Sequence, residues 1–509
     1  MDPRDPRELV ASWGEGRARV GHDAALELLP RSDEQLAARF RRAYTWIARE
    51  AIVSPFHDIE FGEPVILGRP QAQVELPRSS YSSYILLPLL TLATSQRLLF
   101  IGAPGRGKTT MATLMGLLAG YGSEEMRRAI QHGHPQLTIT DLLGSPLPSE
   151  LVRAQSSSEI HVAWRKWLSM RAKIIDEYNR IPTKTQSALL SLMAEGYAEM
   201  YEQVLHCKRS AWFLTANDDL GGGTFQVIDA LKDRIDAVVR CTPFSSQHLD
   251  VLVERVAAGR TPEDYVPADI VFTGEELDRA EREVRAVEVP QEVVELLGFF
   301  GGQLDFCQRA SDRLEFRNKD TLHLAGFRLA NVCNEDCPLD KMSNLCTQTE
   351  NGISARAFQT ILLFAKALAW FRGEPRTSTE DLRQVLPWVL HEKLKANAQS
   401  AFFQKTENQV LLRDRASWIR QLFDRAVAQH AAYKPLSTSV QEIRRELALG
   451  IESLAPPDLR KRLEKVQAAI DDLLRRNELN GPVHEDLVLL KSIHARYSNR
   501  AAALEEPAS

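Results

Sequence analysis

Short runs that are apolar at almost every position punctuate the first half of the chain. Leu98-Leu99-Phe100-Ile101 is one, Ala172-Lys173-Ile174-Ile175 a second and Trp212-Phe213-Leu214-Thr215-Ala216 a third. Runs of this length without alternation fit strands buried on both faces, as in a parallel sheet covered by helices. Helical spacing appears between and after them. Leu36, Phe40, Tyr44, Ile47 and Ala51 recur on one face behind Ser32-Asp33-Glu34-Gln35, which reads as a capping box. Tyr84 to Leu90 reads as a buried helix leading into the first core strand. Residues 53–80 are rich in Pro and Gly and hold short β-like pieces such as Pro64-Val65-Ile66-Leu67. Leu137 to Asp141 reads as a strand that breaks at Gly144. Residues 145–170 read as an insertion with Trp164, Trp167 and Leu168 on one helical face.

Beyond Pro243 the pattern is helical. Glu275 to Val287, Gln291 to Phe300, Ala357 to Trp370 and a helix capped by Thr379 and running to Leu394 are expected. Trp418, Ile419, Leu422, Phe423, Ala426 and Val427 form a further stripe. Leu459, Leu463, Val466, Ile470 and Leu473 repeat at four and three, a short coiled-coil-like pattern. Residues 1–31 look loosely organised, and Ala501 to Ser509 is expected to be disordered.

Composition narrows the class. The chain has 509 residues, 44% hydrophobic and 26% charged, enough for roughly two to four globular domains. A net charge of −5 gives no strong field toward nucleic acid. The start, Met1-Asp2-Pro3-Arg4-Asp5-Pro6, lacks the apolar centre of a signal peptide. No apolar run has membrane-spanning length. A cytoplasmic location is expected, where disulfides are rare.

The first candidate chemistry follows the first strand. Gly102-Ala103-Pro104-Gly105-Arg106-Gly107-Lys108-Thr109 fits G-x-x-x-x-G-K-[ST], with Thr110 opening a helix-forming run. Its glycines let backbone N–H groups converge on phosphate oxygens. Lys108 would reach the β- and γ-phosphates of ATP and Thr109 would bind Mg2+. The second strand ends in Asp176-Glu177. Asp176 would hold the magnesium and Glu177 would act as general base toward water. The third ends at Asn217, whose amide can both accept and donate hydrogen bonds. Gly221-Gly222-Gly223-Thr224 reads as a flexible loop.

Asp176-Glu177-Tyr178-Asn179-Arg180-Ile181-Pro182 through Leu190 resembles the Walker B region of the MoxR family of AAA+ ATPases, in the clade with an insertion in helix 2. The resemblance extends over residues 80–395. It implies that Asn217 is sensor 1. Asp233-Arg234-Ile235 resembles the clade's D-R-[FI], which makes Arg234 the arginine-finger candidate. Gly352-Ile353-Ser354-Ala355-Arg356 resembles G-x-S-x-R, which makes Arg356 sensor 2. Residues 145–170 fall where the family has its helix-2 insert, and residues 196–210 where it has the hairpin before sensor 1.

The fold expected is an α/β P-loop AAA+ core, a parallel sheet with flanking helices, then an all-α lid and a C-terminal helical accessory domain. The divisions are 1–79 as an N-terminal helical and linker segment, 80–245 as the core, 246–396 as the lid and 397–509 as the accessory domain. The resemblance implies a homo-oligomeric ring, a hexamer, that remodels partner proteins, often ones with a von Willebrand A domain. The alternative is a nucleic-acid-directed motor of the same clade, disfavoured by the weak charge and the lack of a nucleic-acid module.

Residues 301–350 depart from that family pattern. They carry Cys307, Cys333, Cys337 and Cys346, the last three as C-x3-C-x8-C in a loop-rich stretch. Thiolates so placed suit a metal site. An iron–sulfur cluster accepts varied spacings, whereas the zinc knuckle C-x2-C is absent. Ordinary buried thiols are the other reading.

Overall fold

The structure is a computed structural model. It describes residues 35–52, 56–70, 72–147, 160–217, 229–241, 243–333, 337–435, 437–476 and 479–505. The expected capping serine Ser32 and the glycine loop 221–224 lie outside the described residues.

Five strands form the central sheet: β1 (Arg97–Ile101), β2 (Gln131–His132), β3 (Ala172–Asp176), β4 (Ala211–Ala216) and β5 (Ala237–Arg240). Their order is β5-β1-β4-β3-β2, with every pair parallel. Helices cover both faces, so the inner strands are largely apolar, and all six residues of β4 are buried. The register sets Ile101 beside Ala216 and His132 beside Asp176. The carboxyl ends of β1, β3 and β4 therefore meet along one edge, where open α/β sheets place their ligands.

Ahead of β1, Ser83–Thr94 is a helix buried at every position. The helix Leu36–Trp46 starts with Gln35 as its cap. Its Phe40 ring stacks on Phe272 at 4.2 Å and meets Trp370 edge-on at 5.2 Å, so it sits where core and lid join. Residues 59–81 form two small antiparallel pairs, Ile59–Phe61 with Ser79–Tyr81 and Val65–Arg69 with Ala72–Leu76.

Two readings of the core are corrected. Leu137 to Asp141 is not a strand: Ile139–Leu143 is a helix, capped by Thr138 with Asp141 closing a capping box. That local pair of hydrogen bonds outweighs the β-branched residues. Trp164, Trp167 and Leu168 do not share a helix. Gly144–Pro146 pairs with Val162–Trp164, and a 3-10 turn at Lys166–Ser169 follows. Trp167 is fixed by its indole N–H to the Leu142 carbonyl at 2.8 Å and by an edge contact with Trp212. The expected hairpin is present as Tyr197–Met200 with Gln203–His206.

The lid is helical: Gly274–Ala286, Gln291–Asp305, Ala355–Arg372 and Thr379–Leu390. Ser378, not Thr379, caps the last of these, with Asp381 in a capping box. That helix ends at Leu390 rather than Leu394, and Leu394 is still fully buried. Arg415–Tyr433 buries Trp418, Ile419, Leu422 and Phe423 in the main hydrophobic core. A second, smaller core joins Val440, Ile443, Leu459, Val466, Leu473, Leu487, Leu490 and Tyr497 from the C-terminal helices. The last helix runs to Glu505, so residues 501–505 are ordered where disorder was expected. No helix among the described residues is long and apolar enough to cross a membrane.

Candidate functional site

The site grows out of the aligned strand ends. After Ile101 the chain turns through Gly105 and Gly107, both at positive φ (74° and 73°), a conformation glycine adopts without strain. The helix Lys108–Leu118 then starts with its free N–H groups turned back on the loop. Lys108 is buried, and its ammonium donates to the Gly102 carbonyl at 2.6 Å, the Ala103 carbonyl at 3.0 Å and Asn217 Oδ1 at 2.8 Å. The lysine thus rests in its own loop, within reach of the place a phosphate occupies in such loops.

Asn217 is the hinge of the network. Its Oδ1 accepts from Lys108 while its Nδ2 donates to Glu177 Oε1 at 2.9 Å. Asp176 Oδ1 accepts from Thr109 Oγ1 at 3.0 Å and from Thr215 Oγ1 at 2.5 Å. A hydroxyl and a carboxylate converging in this way fit Mg2+, which takes few protein ligands and completes its shell with water and phosphate oxygens.

Glu177 is held in a costly shape. Its φ of 53° and ψ of 47° are left-handed, uncommon for a residue other than glycine. Its N–H donates to Thr215 Oγ1 at 2.9 Å, and Arg180 Nη1 stands 3.3 Å from its Oε2. Across from it, Gly133 donates to the Asp176 carbonyl at 2.7 Å. A Cβ at Gly133 would come within 2.2 Å of the Glu177 carbonyl oxygen, so only glycine fits.

Two family models match the chain. The ATPase family associated with various cellular activities (AAA) matches residues 97–237, and the AAA lid domain matches residues 342–414. The first spans strands β1 to β4 and every residue of this network. The chain carries an AAA ATPase core followed by an AAA lid. No curated protein matches it. Among solved structures it is similar to a candidate ATPase from Cytophaga hutchinsonii, at 15% identity and a TM-score of 0.48, over 75% of this chain and 94% of that one.

The ATPase keeps its other two arginines apart from the network. Arg356, two residues after the helix cap Ser354, pairs with Asp233 at 3.1 Å. Arg234 ends the short helix Asp229–Arg234 and donates to the Ala230 carbonyl at 3.0 Å. Neither neighbouring acid pairs with Arg234: Asp233 faces Arg356, and Asp236 accepts from Arg97 at 3.0 Å and from Thr360 at 3.1 Å. Arg106 points away from the lysine, donating to the Cys241 carbonyl at 3.2 Å.

Four site residues carried no signal in the sequence reading: Thr215, Arg180, Gly133 and His132, whose Nδ1 lies 3.4 Å from Asp176 Oδ2. Thr215 was legible in principle, because it shares a strand face with Asn217 two residues on. Arg180 meets Glu177 from three residues along the chain, whereas Gly133 and His132 reach the site through tertiary packing. Of the cysteines, none falls in a group of three or more His, Cys, Asp or Glu that could hold a metal ion, among the described residues.

Proposed function

We propose that this AAA+ ATPase works as a MoxR-type ring, a hexamer, that uses Mg-ATP hydrolysis to remodel or assemble partner proteins. The observation that carries the reading is the continuous chain from Lys108 through Asn217 to Glu177, joined at Thr215 to Asp176 and Thr109. Each member has the chemistry its place requires. Gly102 to Thr110 cradle the triphosphate with backbone N–H groups, and Lys108 moves from the loop carbonyls to the β- and γ-phosphates. Thr109 and Asp176 hold Mg2+, which when bound draws charge from the phosphate oxygens. Glu177 takes the proton of the attacking water, and Asn217 orients that water against the γ-phosphate. Glu177 must first let go of Arg180, so the resting contact keeps the base off duty until nucleotide and lid are in place. Arg356 contacts the γ-phosphate in its own subunit, and Arg234 reaches the nucleotide of the next.

A protein carrying a von Willebrand A domain is the partner class this reading favours. The test is capture of partners by a Glu177→Gln ring locked with ATP, compared with the same protein without nucleotide. ATP-dependent capture of a defined protein supports remodelling. Strong stimulation of ATP turnover by DNA or RNA, with no protein captured, overturns it in favour of a nucleic-acid motor.

A further inference from the structure

Two residues, Ile235 and Asp236, join the helix Asp229–Arg234 to β5. Asp236 is 1% exposed. A buried carboxylate needs hydrogen-bond donors, and this one draws them from two different parts of the molecule. Its Oδ2 accepts from the Arg97 backbone N–H at 2.9 Å and from Arg97 Nη1 at 3.0 Å, while its own N–H donates to the Arg97 carbonyl at 2.9 Å. These bonds tie Asp236 to the first residue of β1. Its Oδ1 accepts from Thr360 Oγ1 at 3.1 Å. Thr360 is buried as well and belongs to the lid helix Ala355–Arg372. One carboxylate therefore joins sheet and lid, with one oxygen for each.

The same lid helix meets the same stretch of chain a second time. Thr360 follows Arg356 by four residues, so the two side chains lie on one helix face, a turn apart. Arg356 Nη1 stands 3.1 Å from Asp233 Oδ2. Arg234 thus lies between two acids that are both held by one face of the lid helix. The two contacts differ in kind. Arg356 and Asp233 are exposed, so their pairing is weak and water competes for it. Thr360 and Asp236 are shielded, and parting them leaves a buried, charged oxygen short of a donor. A nucleotide that draws Arg356 away opens the outer contact and leaves the inner one closed.

We propose that Asp236 is a positioning residue which, through Thr360, makes Arg234 answer to the nucleotide of its own subunit. The bond from Thr360 is the pivot on which the lid helix turns when Arg356 leaves Asp233. The nucleotide state of one subunit then sets how Arg234 is presented to the next. This rests on the reading that Arg356 meets the γ-phosphate of its own subunit and Arg234 the nucleotide of the neighbour. Coupling between two sites requires a contact that differs between two states. Here that contact is Arg356, on Asp233 without nucleotide and on phosphate with it. The two acids therefore have separate duties: Asp233 is the latch and Asp236 the hinge.

The test uses mixed rings of the full chain. Donor subunits carry Glu177→Gln and keep Arg234; acceptor subunits carry Arg234→Ala and keep Glu177. Turnover then comes only from an acceptor site served by a donor arginine. Thr360→Val keeps the volume and removes the hydroxyl. Placed in the donor alone, it should lower the turnover number of the mixed rings by about fivefold or more, the lower end of typical coupling between sites. KM for ATP should change much less, because the acceptor's own nucleotide site is unaltered. The same change in the acceptor alone, where there is no Arg234 to place, should cost much less turnover. Thr360→Ser in the donor, which keeps the hydroxyl, should restore it. Turnover indifferent to the donor substitution overturns the proposal, as does an equal loss from donor and acceptor, which is what a loosened lid alone produces. Mixed rings inactive before any change at Thr360 overturn the reading of Arg234 and the proposal together, whereas active rings indifferent to the donor's Thr360 overturn the proposal alone. Should Thr360→Val fail to assemble, Thr360→Ala removes the same hydroxyl and decides in its place.

Discussion

Arg356 Nη1 stands 3.1 Å from Asp233 Oδ2, so the lid arginine is held by the residue immediately before Arg234. The contact links the lid helix Ala355–Arg372 to the end of the core. Its partners are 40% and 42% exposed, and an exposed pair of this kind is worth about 0–1 kcal/mol. A triphosphate can take the guanidinium from so weak a partner. Asp233→Asn should therefore raise ATP affinity by no more than about fivefold, the factor equivalent to that energy. Arg356→Ala should lower it by about tenfold or more, the loss of a charge-assisted contact. Equilibrium binding of a fluorescent ATP analogue measures both. A Asp233→Asn variant that binds ten times more weakly would show that the acid holds the site together rather than restraining it.

Glu177→Gln keeps the shape of the side chain and its contact with Asn217 but cannot take a proton. ATP binding should persist while steady-state hydrolysis falls by about a hundredfold or more, the scale for loss of a general base. Phosphate release over time, beside nucleotide retention on a filter, reads both. Turnover at the unmodified rate sinks the assignment of Glu177.

Thr215 is fully buried and makes two hydrogen bonds, one to Asp176 and one from the Glu177 N–H. Thr215→Val preserves volume and removes both. The left-handed Glu177 then loses the contact that fixes it, and a buried N–H is left without a partner, costing about 1–3 kcal/mol. Hydrolysis should fall at least tenfold with KM for ATP changing much less, because the phosphate loop is untouched. An unchanged turnover number would place Thr215 among packing residues.

What the sequence disclosed follows from how far each signal travels along the chain. The strands were legible because burial on both faces leaves unbroken apolar runs such as Leu98 to Ile101. Lys108, Thr109, Asp176, Glu177 and Asn217 were legible because each sits at a strand end or in the loop after it. His132 and Gly133 were not, since their contacts with Asp176 and Glu177 depend on how β2 lies against β3. Leu137 to Asp141 misled because its β-branched residues suit a strand, while the decisive Thr138–Asp141 capping pair is only a short-range bond. The pairing of Asp233 with Arg356 spans core and lid, and no local pattern announces it.

The C-terminal helices carry a titrating contact. The Tyr433 hydroxyl donates to Asp486 Oδ2 at 3.1 Å, with Glu485 adding negative charge and Arg444 opposing it. Burial, the largest cause, pushes the Asp486 carboxyl up to about 6 from 3.8. A folded-state value raised in this way gives stability that is complete below about pH 3.8 and is lost as pH rises through about 6. Asp486→Asn should thus be more stable than the unmodified protein at pH 7.5, by about 1–2 kcal/mol after allowance for partial exposure, and the gap should close at pH 4. Thermal or urea unfolding at the two pH values measures it. A gap that widens on acidification would reverse the sign argued here.

Arg234 sets the sharpest test of the ring. Among the described residues its guanidinium donates to the Ala230 carbonyl of its own helix turn, and the acids on either side are engaged with Arg356, Arg97 and Thr360. An arginine left available at the end of a core helix suits action on a neighbouring subunit. Arg234→Ala subunits keep an intact Glu177, and Glu177→Gln subunits keep an intact Arg234. Each preparation alone should be nearly inactive. Mixed rings regain activity wherever an intact Glu177 meets an intact Arg234 across an interface, so turnover should pass through a maximum as the ratio is varied. Arg234→Lys should not replace the arginine, because an ammonium lacks the planar fork that spans two phosphate oxygens. Rings shown by light scattering to be assembled and mixed, yet inactive at every ratio, would assign Arg234 a role within its own subunit.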